Sequence, residues 1–269
     1  MRPLHELDLA GLSRCEVVFT DIDDTLTTDG QLPAAAYDAL ERLAQAGLKV
    51  VPITGRPAGW CDMIARMWPV AGIVGENGAL YFSYDRTARV MRQRFFASTA
   101  ERRANRAKLD ALRDLILAEV PGAGIASDQL YREADLAIDF CEDVPALPDD
   151  QVQRILDLFA EAGAVAKLSS IHVNGWFGDY DKLSMTRLFA GDVLGLDIDA
   201  ARDRVVFVGD SPNDGPMFKF FPLSCGVANV REFTPGSFAP PAFVAPSVGG
   251  AGFVEVADRI LAAREVAHV

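Results

Sequence analysis

The sequence predicts an α/β protein with a Rossmann-like parallel sheet core and an inserted α+β domain. The first observation is an apolar run at residues 17–19, followed by a helical segment over 33–46 and a second apolar run over 48–53. Strand, helix and strand at this spacing form a βαβ unit, whose two strands are parallel. The second observation is that residues 84–177 lose this alternation and hold two long helical segments among several strands. That pattern predicts an α+β insertion in the core.

The elements of the core follow from apolar runs and the residues that bound them. The first helix begins at Pro33 and ends before Gly47, which are common start and stop signals. Pro52 cannot donate to a sheet ladder, so we expect it near the end of its strand. The charge-free stretch 233–254 holds four prolines and four glycines, and it is predicted as loop, short strand and loop. Further buried strands are predicted at residues 70–74, 204–210 and 242–245.

The insertion has its own helix signals. Ser98 and Glu101 have the spacing of a capping box, which predicts a helix that reaches about Val120. The segment 149–162 places apolar residues at i, i+3, i+4 and i+7, so it predicts a second, amphipathic helix. Strands are predicted at residues 88–96, 136–140 and 166–173. The predicted core comprises residues 1–83 and 178–269, and the predicted insertion comprises residues 84–177.

Composition excludes several classes of partner. The chain has 269 residues and a formal net charge of −12, which argues against broad binding to nucleic acid or to an anionic membrane. Its four cysteines are scattered without a CxxC pair, so neither a zinc site nor a disulfide framework is indicated. The N-terminal residues lack the uninterrupted apolar stretch of a signal peptide. We therefore expect a cytoplasmic protein, while the sequence leaves its oligomeric state open.

Acidic residues cluster directly after the first predicted strand. Asp21 and Asp23 point to the same side of an extended chain, roughly 7 Å apart. At an effective dielectric constant near 20, two such charges repel each other by about 2 kcal/mol. A positively charged group is therefore expected among them.

Other polar residues also follow predicted strands. Ligands of open α/β sheets bind at the carboxyl ends of the strands, so these residues should lie close together. Carboxylates are oxygen ligands for a hard cation, and hydroxyl, amide and ammonium groups bind phosphate oxygens. The residues concerned are Asp21, Asp23, Thr54, Gly55, Arg56, Asp210, Asn213 and Asp214, together with Lys182 at the start of the helix after the insertion.

Four motifs resemble those of the haloacid dehalogenase-like phosphatase superfamily. They are "DIDDTLT", "ITGRP", Lys182 and "GDSPNDGPM", in that order. An insertion between the second and third motifs resembles the members with a large α/β cap, which include Cof-like sugar-phosphate phosphatases and phosphomannomutases. The segment "GENGAL", which contains Asn77, is similar to that subgroup. Two departures concern local geometry, because Asp24 stands where glycine is usual and Leu183 where glycine is frequent.

The resemblance implies a role for each of these residues. Asp21 would be the nucleophile that forms an aspartyl-phosphate, and Asp23 the general acid and base. Mg²⁺ would be held by Asp21, the carbonyl group of Asp23 and Asp210, with Asp214 in support. The residues that would bind phosphate or substrate are Thr54, Gly55, Arg56, Asn77, Lys182 and Asn213. The implied partner is a small phosphorylated metabolite, and the implied insertion is a cap domain.

The insertion offers weaker signals. Ser170, His172 and Asn174 alternate onto one face of a predicted strand, where they could bind substrate or simply face solvent. Residues 86–108 contain eight basic residues and one acidic residue. We favour a solvated surface for this basic segment over a rim that attracts anions.

The sequence also leaves other functions open. A phosphomutase would use the same Asp21 but return the phosphoryl group to its substrate. A phospho-receiver module also has an acidic cluster, a threonine and a lysine, but it needs neither Asp23 nor an insertion. A non-catalytic binding protein is disfavoured because every motif keeps its reactive side chain. Each motif alone has a structural interpretation, such as a turn or a helix cap, and only their combination favours a phosphatase.

Overall fold

The computed structural model describes residues 1–169, 171–233, 236 and 238–267. Its strands are β1 (Arg2–Pro3), β2 (Val17–Thr20), β3 (Lys49–Pro52), β4 (Ile73–Gly75), β5 (Leu80–Asp85), β6 (Val90–Phe95), β7 (Gly124–Ile125), β8 (Leu136–Asp139), β9 (Val165–Leu168), β10 (His172–Trp176), β11 (Val205–Gly209), β12 (Leu223–Gly226) and β13 (Phe243–Val244). Its α-helices are α1 (Leu9–Leu12), α2 (Ala34–Gln45), α3 (Ala58–Met67), α4 (Thr99–Glu119), α5 (Asp149–Glu161), α6 (Lys182–Phe189), α7 (Gly215–Phe220) and α8 (Gly249–Ala267).

The main sheet is parallel, as predicted. Its six strands run in the order β1-β13-β12-β11-β2-β3, and every neighbouring pair is parallel. Pro52 is the last residue of β3, where the lack of an N–H group disrupts the hydrogen bonding of the sheet least. The α/β class and the parallel core are therefore confirmed.

Both faces of the main sheet are covered by helices. Successive residues of β2 alternate between two apolar clusters, since Val18 joins one cluster and Val17 and Phe19 join the other. Helices α2, α3 and α8 contribute to the first cluster, and α6 and α7 contribute to the second. Because both faces are buried, the strands have the continuous apolar sequences from which they were predicted.

The insertion contains a separate antiparallel sheet. Its order is β7-β8-β10-β9, and α4 and α5 bury their apolar residues against it. Ser98 and Glu101 form the predicted capping box at the start of α4. Gly175 of β10 faces the ring of Phe159, and a Cβ atom there would lie 2.0 Å from the ring. The glycine thus allows α5 to pack closely on the sheet.

A third sheet lies at the junction. Strands β4, β5 and β6 form an antiparallel meander, joined to the main sheet by a parallel bridge between Ile53 and Val74. Residues 70–74 were predicted to extend the parallel sheet, and they do run parallel beside β3. The Ala71 N–H group donates to the Val50 carbonyl oxygen and the Thr54 N–H group to the Val74 carbonyl oxygen, while β4 also pairs antiparallel with β5. The β5–β6 hairpin packs against the first core cluster through Phe82 and Phe95. The predicted boundary near residue 84 falls inside this hairpin.

Two predictions were wrong. The strand expected over 166–173 is a hairpin, because β9 and β10 pair antiparallel with Val173 opposite Leu168. Residues 249–254 were expected to be loop but form the first turns of α8. Their glycines permit close packing, since a Cβ atom on Gly250 would lie 2.7 Å from the Leu26 carbonyl oxygen. None of the helices in the described part of the chain is long and apolar enough to cross a membrane.

Candidate active site

Three carboxylates meet at the carboxyl edge of the main sheet. Asp21 follows β2 and Asp210 follows β11, and these strands are paired neighbours in register. The Asp21 N–H group donates to the Val208 carbonyl oxygen at 2.9 Å, which fixes Asp21 beside the end of β11. Asp21, Asp210 and Asp214 are all buried, and each offers an oxygen within 4.8 Å of the others. Three of the residues predicted to form a metal site are thus brought together.

Lys182 lies among these carboxylates. Its Nζ atom is 2.7 Å from Asp21 Oδ1 and 2.8 Å from Asp214 Oδ1. Helix α6 begins at this residue, with Asp181 as its N-cap, so the fold fixes the stem of the lysine side chain. The positive charge expected beside Asp21 is therefore present.

The cluster remains short of positive charge. Burial raises the pKa of Asp21 to about 8, although Lys182 acts in the opposite direction. Burial, together with Asp214 and Asp21, also raises the pKa of Asp210 well above its ordinary value. Burial lowers the pKa of Lys182, but the adjacent Asp21 and Asp214 outweigh it and raise that pKa overall. One ammonium group faces three carboxylates, which leaves a deficit that a divalent cation fits.

The donor set suits Mg²⁺. Carboxylate oxygens are hard ligands, and Mg²⁺ in proteins is usually held by one or two of them together with water and substrate phosphate. Asp21 and Asp210 would supply such ligands. Asp214 accepts from Lys182 and from the Asp210 N–H group at 3.2 Å, which suits the supporting role predicted for it. A ligand from the Asp23 carbonyl group stays a prediction.

The loop after β3 lies beside Asp23. Thr54 Oγ1 accepts the Arg56 N–H group at 3.0 Å, which holds the loop in a tight turn. The Arg56 side chain lies 2.8 to 3.2 Å from the Asp23 carboxylate through two nitrogen atoms. Its guanidinium group also lies over the ring of Trp60, 4.6 Å from the ring centroid. Arg56 therefore orients the carboxylate that was predicted to act as acid and base.

Asn77 packs on the same loop. Its N–H group donates to the Thr54 carbonyl oxygen at 3.0 Å. A Cβ atom on Gly55 would lie 3.2 Å from Asn77 Nδ2, so the absence of a side chain at Gly55 gives the asparagine room. After β11, Ser211 donates its hydroxyl group to Asn213 Oδ1 at 2.9 Å.

One cavity connects these residues with the insertion. Among the predicted site residues, Thr54, Lys182 and Asp214 lie outside its lining, although they contact residues that form it. Ser170 lies outside the described residues. The predicted site residues that line the cavity are Asp21, Asp23, Gly55, Arg56, Asn77, Asp210, Asn213, His172 and Asn174.

Sequence reasoning missed Arg132 of the insertion. This buried side chain lines the cavity and pairs with Asp128 at 2.9 Å and Asp135 at 3.1 Å. Burial would lower the pKa of Arg132, but Asp135 and Asp128 outweigh burial and raise it. Asp128, Arg132 and Asp135 stand at i, i+4 and i+7, a spacing of opposite charges that could have indicated an ion-pair cluster.

Glu142 was also missed. Its Oε2 atom lies 2.9 Å from Nε2 of the buried His172. The two atoms are close, but the geometry is not that of a hydrogen bond. Burial and the nearby Arg132 lower the pKa of His172, which favours a neutral ring. A neutral imidazole in the cavity can bind an uncharged hydroxyl group of a ligand.

Basic residues of the segment 86–108 bind partners outside the cavity. Arg94 pairs with Asp192, and Arg92 lies 3.6 Å from Asp85. Arg106 donates to two backbone carbonyl oxygens of the insertion, those of Asp135 and Arg132. Among the described residues that line the cavity, none comes from this segment. These contacts agree with the prediction that the basic segment forms a solvated surface and not a rim that attracts anions.

Known proteins share this sequence pattern and fold. Residues 18–113 match the haloacid dehalogenase-like hydrolase family. The chain is 27% identical over 222 residues to a phosphoglycolate phosphatase from Methanospirillum hungatei, covering 80% of this chain and 84% of that protein. A crystal structure from Thermoplasma acidophilum gives a TM-score of 0.69 at 18% identity, covering 92% of this chain and 98% of that chain. A HAD/Cof-like hydrolase from Plasmodium vivax gives 0.66 at 16% identity, covering 95% and 99%. The chain is therefore similar to haloacid dehalogenase-like hydrolases over residues 18–113, and along most of its length it shares the fold of the two solved structures.

Proposed function

We propose that the protein is a Mg²⁺-dependent phosphohydrolase that acts on a small phosphorylated metabolite through an aspartyl-phosphate on Asp21. The observation that carries this proposal is the group of three buried carboxylates around Lys182, at the edge of a parallel sheet. A cavity there is lined by core and inserted residues together. This arrangement gives a nucleophile, compensating charge and a covered site in one place.

The reaction would proceed in two displacements. An Asp21 oxygen attacks phosphorus and forms an O–P bond as the bond to the ester oxygen breaks, and Asp23 gives its proton to the departing alkoxide. Asp23 then removes a proton from water, whose oxygen attacks phosphorus and releases phosphate from Asp21. Bound Mg²⁺ would neutralise negative charge on the carboxylates and the phosphate. Lys182, Thr54 and Asn213 would hold the phosphate oxygens.

Arg56 would support both displacements by holding Asp23 in place. Its guanidinium group contacts the Asp23 carboxylate directly, at 2.8 Å. The pairing would thus orient Asp23 towards the leaving group and the attacking water.

The substrate would be selected by the insertion, which we propose acts as a cap. His172 and Asn174 of the insertion line the same cavity as Asp21 and Asp210, and we propose that they contact the leaving group. We propose a sugar phosphate or a similar small alcohol phosphate as the substrate class. The likeness to a phosphoglycolate phosphatase adds phosphorylated hydroxy acids to the compounds worth testing. A phosphomutase remains the second candidate, since it would use the same Asp21.

A substrate screen tests the proposal. We expect purified protein with Mg²⁺ to release inorganic phosphate from at least one small phosphate monoester, without isomerising it. Chelation with EDTA should stop the reaction and excess Mg²⁺ should restore it, because an unscreened carboxylate cluster repels the phosphate. Isomerised substrate without phosphate release would identify a mutase instead. Full activity in demetallated protein would contradict the metal assignment.

Replacement of Asp23 should separate the two displacements. We expect Asp23→Asn to lower kcat on a sugar phosphate by roughly 100- to 10,000-fold, because the amide cannot donate a proton to the alkoxide or take one from water. An ester with a good leaving group, such as p-nitrophenyl phosphate, should still phosphorylate Asp21. Mass spectrometry should then detect phosphorylated protein. Wild-type turnover by this variant on a sugar phosphate would exclude Asp23 as the acid and base.

A further inference from the structure

A short segment of the insertion is bound to a buried glutamate of the core. The Glu76 carboxylate accepts backbone N–H groups from Glu133 at 2.8 Å, Ala134 at 2.6 Å and Asp135 at 3.3 Å. It also accepts the Ala58 N–H group, at the start of α3, at 3.0 Å. Its side chain is fully buried, and a buried carboxylate is costly unless it is hydrogen-bonded in this way. The proposed reaction gives Glu76 no role.

A second contact joins the same segment to the phosphate loop, defined here as residues 54–56. Arg132 Nη1 donates to the Gly55 carbonyl oxygen at 2.9 Å. Asp128 and Asp135 hold the guanidinium group in place from two other sides. Gly55 is the middle residue of the loop, and its carbonyl oxygen is part of the peptide group that joins Gly55 to Arg56, so the hydrogen bond from Arg132 fixes the orientation of that peptide group. The insertion thus contacts the phosphate loop directly.

The backbone around Glu76 extends this connection to the rest of the site. Its N–H group donates to the Arg56 carbonyl oxygen at 3.1 Å. Gly78 packs against the start of α6, where a Cβ atom would lie 2.1 Å from the Asp181 carbonyl oxygen. Residues 76 to 78 have φ angles of 45°, 55° and 105°, a left-handed run that non-glycine residues adopt only when their surroundings enforce it. The contacts with the insertion, with the phosphate loop and with the start of α6 hold the backbone in this conformation.

We propose that Glu76 and Arg132 are positioning residues, through which docking of residues 132–135 sets the geometry of the phosphate loop. This inference rests on the proposed function. With segment 132–135 docked, Glu76 and the Gly55 carbonyl group are both satisfied, and the loop is held in its binding conformation. When the segment leaves, both groups lose their partners and the loop is released. Phosphate binding in the core is thereby coupled to the position of the insertion.

The coupling predicts how replacement of Glu76 or Arg132 changes the enzyme kinetics. Glu76→Gln keeps the shape of the side chain but removes its charge and some acceptor capacity, and Arg132→Met removes the donor to Gly55. We expect each variant to weaken inhibition by inorganic phosphate and to lower kcat/KM by about 10- to 100-fold, the loss typical of a hydrogen bond to a charged group. The loss should be similar on every substrate, including p-nitrophenyl phosphate. A uniform loss distinguishes the phosphate loop from residues that contact the leaving group.

The double variant provides a second readout. If both residues act through one docked segment, then Glu76→Gln combined with Arg132→Met should lose little more than the worse single variant. Hydrogen exchange should show faster exchange at the amide groups of 133–135 in Glu76→Gln. Arg113→Met is the matched control, because Arg113 pairs with Asp110 and Asp114 on the insertion but makes its contacts away from the core. It should retain wild-type kinetics and exchange.

The results separate this inference from the proposed function. A wild-type protein inert towards every phosphate ester would defeat the proposed function. An active wild-type protein whose folded Glu76→Gln variant exchanges faster at 133–135, yet keeps its phosphate affinity and kcat/KM, would overturn the coupling and leave Glu76 a structural residue. If Glu76→Gln does not fold, Arg132→Met carries the same test. Arg132→Lys, which can still donate to Gly55, should then recover part of the phosphate affinity.

Discussion

Asp21→Asn is expected to abolish turnover while leaving the fold intact. The amide has nearly the volume of the carboxyl group and can still accept from Lys182 Nζ, which lies 2.7 Å from Oδ1 in the native protein. It lacks the nucleophilic oxygen that would form the aspartyl-phosphate. We expect kcat to fall by roughly four to six orders of magnitude, as for the loss of other catalytic nucleophiles. Phosphate release at saturating substrate measures this effect, and circular dichroism verifies the fold.

Asp29→Asn is the matched control for this experiment. Asp29 belongs to the same acidic stretch but is exposed, and its φ of 51° is tolerated by asparagine as readily as by aspartate. We expect wild-type turnover from this variant. Mass spectrometry of protein mixed with substrate should detect a phosphorylated species in wild type and in Asp29→Asn only. Substantial turnover by pure, folded Asp21→Asn protein would exclude Asp21 as the nucleophile.

Local signals explain why much of the fold was predictable. The apolar run of β2 and the helix stop at Gly47 depend on neighbouring residues alone, and both appear in the structure. The capping box between Ser98 and Glu101 is likewise formed within four residues. Because parallel strands end at one edge of the sheet, the order of these elements also predicts that Asp21 and Asp210 lie close together. Their proximity is a consequence of topology.

Long-range packing explains what could not be predicted. Gly249 and Gly250 resemble loop residues, and only the distant residues 26–28 show that they allow α8 to pack closely. The segment "AKLSSIHV" has no proline or glycine at the point where the hairpin between β9 and β10 turns. Glu76 binds amide groups 57 to 59 residues away, so its neighbours in sequence give no sign of its partners. Such contacts depend on the assembled fold.

Replacement of Lys182 should reveal how the site balances its charge. Lys182→Met keeps the length of the buried side chain but removes the ammonium group that contacts Asp21 and Asp214. Because removal of one partner leaves buried carboxylates uncompensated, we expect the free energy of unfolding of the metal-free protein to fall by about 3 to 5 kcal/mol. Denaturant unfolding in EDTA measures this loss. Lys219→Met, at an exposed lysine of α7, is the control and should unfold like wild type.

Addition of Mg²⁺ distinguishes charge balance from packing. A cation that binds only the folded state stabilises it by mass action, and in the variant it would supply the positive charge that Lys182 no longer provides. Mg²⁺ should therefore raise the midpoint of unfolding more in Lys182→Met than in wild type. Activity should remain low in excess Mg²⁺, because phosphate has lost a donor that the ion does not replace. If Mg²⁺ stabilised both proteins equally, the lost stability would reflect packing around the lysine stem, and the carboxylates would not depend on its charge.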